Sequence, residues 1–296
     1  MARKTPTATP CQPGRTPPIA VRNYRFCRDD TRSKGRDPVA TAWFLALSAS
    51  FPRGEAMFIA AVKLFRDGVP PKLEEEIRDF IRQEVNHSRE HLAFNRLARD
   101  AGYDITAVER RIAALCDETL AKPPFVQLAV TMGLEHFTAI IANLFLRDPS
   151  SIVSDGIGDP DLWRWHAVEE IEHKGVAYDT WLHATREWSG AKRYFVRSLV
   201  MLRTTQRFLT NRIRDSLEIM AQDGVTGWSA RWRLTKYLLG RPGIIRRILL
   251  AWADYFRPGF HPWDHDDSHL IAQWSDARIA EGASAERSPT PSAATA

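Results

Sequence analysis

Cysteine is scarce in this chain. Cys11, Cys27 and Cys116 are odd in number and widely spaced, which argues against a disulfide framework and for a reducing, cytoplasmic setting, and none has zinc-ribbon or redox-motif spacing. Long apolar runs are missing too. No stretch reaches about 18 uninterrupted apolar residues, so no membrane span is predicted. The N-terminus passes from Arg3 and Lys4 into Pro, Thr and Gln without the apolar segment of a secretory signal. The net charge of +5 comes from isolated Arg and Lys spread through residues 1–36 and 190–257. With no nucleic-acid motif among them, nucleic acid is not an expected partner. The charge does permit weak association with an anionic membrane surface.

What is present is helical patterning. With 296 residues and 44% hydrophobic content, the chain can bury a sizeable core. Residues 1–20, rich in Pro, Thr and Arg, predict a disordered tail, and residues 21–222 predict a helical bundle with a covering helix. Residues 223–270 predict a C-terminal helical extension, and 271–296 a mostly disordered tail. Within the bundle, helices are expected over about 40–66, 71–100, 105–121, 125–146 and 160–188. Pro52 predicts a kink or break in the first. In the second, Leu73, Ile77, Phe80, Ile81, Val85, Leu92 and Leu97 fit a helical period that Glu84 and His87 interrupt. The fourth, around Glu135, is apolar nearly all round, which predicts a buried helix and a buried acid. Residues 191–222 form a basic amphipathic helix with seven Lys or Arg between Lys192 and Arg214, read as a cover on the bundle in preference to a membrane anchor.

His166, Glu170 and His173 are spaced i, i+4, i+7 and so share one helix face. Imidazole and carboxylate stand there where a core helix carries leucine, and a buried charge is normally paired or bound to a metal. Glu84 and His87 form the other Glu-x-x-His pair, and Glu55 and Glu135 are isolated acids in apolar segments. Any one of these alone reads as a solvated face or an arginine partner. Together, in the order Glu, Glu-x-x-His, Glu, Glu-x-x-His, they match the inventory of di-iron and di-manganese carboxylate bundles. Four carboxylates balance two divalent ions, and glutamates can bridge them. Glu169 competes with Glu170 for the carboxylate role, Glu172 reads as a solvent or supporting acid, and His91, one turn beyond His87, reads as a supporting group behind a ligand. His136 and His183 read as structural. The cluster His261 to His269, with three His and three Asp in nine residues, is a rival site, but its prolines place it in a loop.

The stretches Phe51-Pro52-Arg53-Gly54-Glu55, Gln83 through His87, Leu134 through Ala139 and Trp165 through Lys174, with Phe256 through Trp263 near the C-terminus, resemble a bacterial family described as predicted metal-dependent hydrolases, over roughly residues 22–270. The resemblance implies a ferritin-like four-helix bundle with additional C-terminal helices. The ligand order, with its extra histidine at His166, is also similar to p-aminobenzoate N-oxygenase-type di-iron enzymes. The expected metal ligands are therefore Glu55, Glu84, His87, Glu135, His166, Glu170 and His173, holding two ions, iron first, with manganese or zinc as alternatives. The leading expectation is a di-iron enzyme that activates O2, with an electron donor, to oxidise a small, largely apolar substrate. The alternatives are a dinuclear hydrolase using a metal-bound hydroxide, and a non-enzymatic metal-binding or membrane-surface protein. Homo-oligomerisation is left open.

Overall fold

The computed structural model describes residues 17–26, 37–152 and 160–287, with side chains described to residue 279. The expected tail over residues 1–16, the loop over 153–159 and residues 288–296 lie outside the described residues. Among the described residues all regular structure is helical, so the protein is all-α. Proline starts most of the bundle. Pro38 opens α1 (Pro38–Lys63), where Asp37 Oδ1 accepts from the Val39 amide at 2.9 Å. Pro71 opens α2 (Pro71–Asp100), Pro124 opens α4 (Pro124–Arg147) and Pro160 opens α5 (Pro160–His173). A first-turn proline is favourable because its missing N–H would have had no partner there. Between them α3 (Thr106–Leu120) packs on α1 and α4.

Helix α1 is continuous through Pro52, so of the expected kink or break the break does not occur. The Ser48 carbonyl, which Pro52 cannot satisfy, accepts instead from Asn95 Nδ2 on α2 at 3.4 Å. The expected helix over 160–188 is, in contrast, divided into α5 and α6 (Val176–Ala184). The turn lies at Lys174 and Gly175, where a Cβ on Gly175 would come within 2.8 Å of Trp263 Nε1, so the approach of the C-terminal segment requires glycine. On α2, Val85 and Leu92 are exposed, because Glu84, His87 and His91 take the inward positions.

Helix α4 is long and apolar enough to cross a membrane, but its surface is taken up by packing against α1, α5, α6, α7 and α9, as expected of a helix apolar all round. Helix α7 (Gly190–Gln222) lies along α1 and α4. It buries two of its arginines: Arg197 on the Tyr178 hydroxyl and on the Arg257 carbonyl at 3.0 Å, and Arg212 on Asp215 at 2.6 Å and on the Ala46 carbonyl. Helices α8 (Gly227–Thr235) and α9 (Ile244–Asp254) follow. Ser268–Arg287 forms α10, which runs into the stretch from residue 271 expected to be a mostly disordered tail. Leu270 is buried and Trp274 meets Tyr24 edge-on at 6.1 Å, so packing holds the first turns of this helix.

Candidate metal centre

Glu55 on α1, Glu84 and His87 on α2, Glu135 on α4, and His166, Glu170 and His173 on α5 all point into one buried space, none more than 4% exposed. They group as Glu55 with His87 and His166, Glu84 with His87 and Glu170, and Glu84 with Glu135 and His173. Glu170 spans the groups. Its Oε1 lies 2.8 Å from His166 Nε2 and 3.8 Å from His87 Nδ1, while its Oε2 lies 3.4 Å from His173 Nε2. His173 Nε2 is also 3.3 Å from Glu84 Oε1 and 3.4 Å from Glu135 Oε2. The two oxygens of one carboxylate thus face the two halves of the cluster.

These polar atoms are not paid off within the protein. Glu55 Oε1, both oxygens of Glu84 and Glu135, Glu170 Oε2, His87 Nδ1 and His173 Nε2 are buried without a hydrogen-bond partner. Such groups cost on the order of 1–3 kcal/mol each, and more when charged. A donor set of carboxylate oxygens and imidazole nitrogens, all unpartnered and all convergent, fits a divalent cation.

Burial and the cluster's own charges shift its proton equilibria strongly. Burial, reinforced by the neighbouring carboxylates, holds Glu55 and Glu84 well above the usual carboxylate range and lifts Glu135 to about 8. Burial opposes charge on His173 as well, but Glu170 and Glu135 outweigh it and raise His173 to about 9. Glu170 is held well below its ordinary value because His173 and His166 overcome its desolvation. Burial and the adjacent His166 keep His87 and His91 neutral.

Behind the cluster, each histidine is oriented by a further group. His87 Nε2 faces Glu169 Oε2 at 3.1 Å, and the other Glu169 oxygen accepts from Trp165 Nε1 at 2.9 Å. Of the two acids left open by the spacing, Glu170 enters the cluster and Glu169 backs His87. His166 Nδ1 lies 2.7 Å from His91 Nε2, His91 Nδ1 lies 2.9 Å from Ser48 Oγ, and the Ser48 hydroxyl donates to Asn95 Oδ1 at 2.8 Å. His173 Nδ1 lies 3.0 Å from Gln83 Oε1, Gln83 Nε2 donates to Glu172 at 2.8 Å, and Arg22 clamps both Glu172 oxygens at 2.6 and 2.9 Å. Spacing alone did not reveal Ser48, Asn95, Gln83 or Arg22, although Gln83 borders the Glu-x-x-His pair.

The other histidines are used structurally. His136 is buried 3.1 Å from the Ala251 carbonyl and depressed to about 3, chiefly by burial. In the rival cluster, His261 pairs with Asp179 at 3.1 Å, His265 with Asp254 at 3.0 Å and Asp267 with Lys174 at 2.6 Å. These contacts staple the C-terminal segment to the bundle instead of converging.

A cavity of about 590 Å³ reaches Glu55, His166 and Glu170 from the surface, passing between α1, α3, α4 and α7. Phe51, Phe58, Val130, Phe137, Phe145 and Trp163 are among its walls. The Glu84, Glu135 and His173 side does not open into it.

Residues 20–266 match the family model described as predicted metal-dependent hydrolase. No curated protein and no solved structure matches the chain.

Proposed function

The chain belongs to the predicted metal-dependent hydrolase family, and from that membership we propose that it is a hydrolase whose two metal ions are held by Glu55, Glu84, His87, Glu135, His166, Glu170 and His173. The observation that carries this reading is the set of buried, convergent and unpartnered donor atoms. Glu170 and Glu84, which reach both sides of the cluster, would be shared between the ions, with Glu55, His87 and His166 holding one and Glu135 and His173 the other. A divalent pair in this position would supply Lewis acidity toward a carbonyl oxygen and lower the pKa of a water toward about 7.

The protein's own groups do the rest. His91 Nε2 accepts a hydrogen bond from His166 Nδ1, which leaves Nε2 of His166 as the atom that would hold a metal. Gln83 Oε1 does the same for His173, whereas Glu169 Oε2 lies 3.1 Å from His87 Nε2 and leaves His87 Nδ1 toward the cluster. Since only Glu55, His166 and Glu170 line the cavity, the bond to be cleaved meets the centre from their side, and the aromatic walls hold it there.

The expectation that ranked oxygen activation first gives way here to hydrolysis, which the family match supports. Oxidation of an apolar substrate remains a second reading on one observation, a carboxylate-rich donor set at the end of a largely apolar cavity. Metal analysis with paired assays separates the two. Zinc- or manganese-loaded protein that cleaves esters or amides under nitrogen supports hydrolysis. Two irons per chain, oxygen uptake and no turnover with zinc, which has no redox chemistry, would replace it with the second reading.

A further inference from the structure

The cavity changes character along its length. Its inner end is the metal centre and its middle is apolar, but its mouth, between the end of α3 and α7, carries Glu118, Lys122, Arg203 and Arg207. Glu118 pairs with Arg207 at 2.7 Å and with Lys122 at 2.8 Å. Arg203, exposed in the middle of α7, has no ion pair among the described residues. Three cations against one carboxylate leave the mouth with a net charge of +2. Beside Arg203, Thr204 Oγ1 also lines the cavity and is buried without a hydrogen-bond partner.

From this we propose that the substrate is a monoanionic amphiphile, with an apolar body that fills the cavity and a carboxylate held at the mouth by Arg203. Arg207 and Lys122 strengthen the local field, and the Thr204 hydroxyl offers a donor just inside it. An arginine matches a carboxylate with two parallel N–H donors, so an unpaired arginine above an apolar slot recognises an acid over its neutral analogue. Size agrees with this assignment. At roughly 30 Å³ for each water-sized group, the cavity of about 590 Å³ accepts on the order of twenty groups, enough for an acyl chain. The charged end stays at the surface while the apolar body points to Glu55, His166 and Glu170, so the reacting bond is remote from the carboxylate. That last step rests on the metal centre proposed above, whereas the binding of an amphiphile does not.

The test is equilibrium binding to the full-length, metal-loaded protein, using dansylamino-undecanoic acid as the fluorescent probe and dodecanoate and dodecanol as competitors. Dodecanoate should displace the probe at about tenfold lower concentration than dodecanol, a difference of about 1.4 kcal/mol. Arg203→Ala should erase that preference and leave dodecanol binding unchanged. Because Arg203 is exposed, this variant should fold. Val130→Trp, which fills the middle of the cavity, should weaken both competitors, and Leu199→Trp, on the more exposed wall, gives a second blocking variant if the first misfolds. Equal displacement by acid and alcohol, an acid preference untouched by Arg203→Ala, or binding unaffected by both tryptophans would overturn the proposal. A protein that binds dodecanoate in this way but hydrolyses nothing removes the hydrolase reading alone. A hydrolase acting on neutral esters without acid preference removes this inference alone.

Discussion

His91 Nε2 lies 2.7 Å from His166 Nδ1, and this contact decides which nitrogen of His166 faces the centre. The direction follows from the far end of the chain of contacts. Asn95 Nδ2 donates to the Ser48 carbonyl, so its Oδ1 accepts the Ser48 hydroxyl proton, Ser48 Oγ accepts from His91 Nδ1, and His91 Nε2 is left as an acceptor. His166 therefore donates through Nδ1, and its Nε2, 2.8 Å from Glu170 Oε1, is the nitrogen turned toward the cluster.

Replacing His91 by leucine should lower metal affinity by about 10–100-fold, the usual effect of losing a group that orients a ligand. His91→Gln can present an amide oxygen to His166 and should recover most of it. Competition titration with a chromophoric chelator reads both. Equal loss in the two variants would mean that His91 acts only by filling space.

Metal stoichiometry should divide the ligands into two classes. Glu170, whose oxygens face both halves, and Glu84, which belongs to two of the groups, should each lose both ions when changed to alanine. Glu55→Ala and Glu135→Ala each strip one half and should retain about one ion per chain, as a dinuclear site shared by bridging carboxylates requires. Inductively coupled plasma mass spectrometry gives the counts, and a uniform loss of two ions across all four variants would contradict the division.

The ligand helices were legible because acids and histidines at helical spacing interrupt apolar faces, as Glu84 and His87 do on α2. Their supports were not. The Arg22 clamp joins Glu172 across 150 residues of sequence, and no periodicity links an irregular lead-in to a helix so distant. Ser48 and Asn95 are ordinary helix residues until α1 and α2 are brought together. The need for glycine at position 175 likewise comes from Trp263, in another part of the chain. In each case what was missed is tertiary, and what was seen is carried within a single helix.

Metal-free protein should lose stability as pH rises from 7 to about 9. Glu135 keeps its proton to about 8 in the folded state against an ordinary 4.5, and His173 keeps its proton to about 9 against 6.5. Through those windows the unfolded chain has released protons that the folded chain still holds, so each contribution is present at low pH and declines as pH rises. His87 and His91 are shifted downward and add no slope above 6.5, and Glu170, also shifted downward, adds none above 4.5. Metal binding must displace the same protons, so metal affinity should rise over this range. Melting curves at pH 7, 8 and 9, with and without metal, give the comparison. A metal-free melting temperature that stayed flat would show that the cluster carries no such protons.

The last prediction concerns the lead-in segment. Arg22 holds Glu172 through two bonds while its own side chain is 16% exposed and that of Glu172 is 1% exposed. Removing the cation alone leaves a buried carboxylate unpaired, a change that costs up to about 3–5 kcal/mol in fully buried pairs and less here because Arg22 reaches solvent. Arg22→Met should therefore lower the melting temperature by several degrees, at roughly 2–4 °C per kcal/mol for a chain of this size class. It should also loosen Gln83, which donates to the same carboxylate and contacts His173, and so weaken metal binding. Changing Glu172 to glutamine in the same protein removes the uncompensated charge while keeping an oxygen for Gln83, and should restore part of both losses. If Arg22→Met lowers the melting temperature without affecting metal affinity, the clamp stabilises the fold only. If the double variant is worse than either single change, the acid itself and not the ion pair is what orients Gln83.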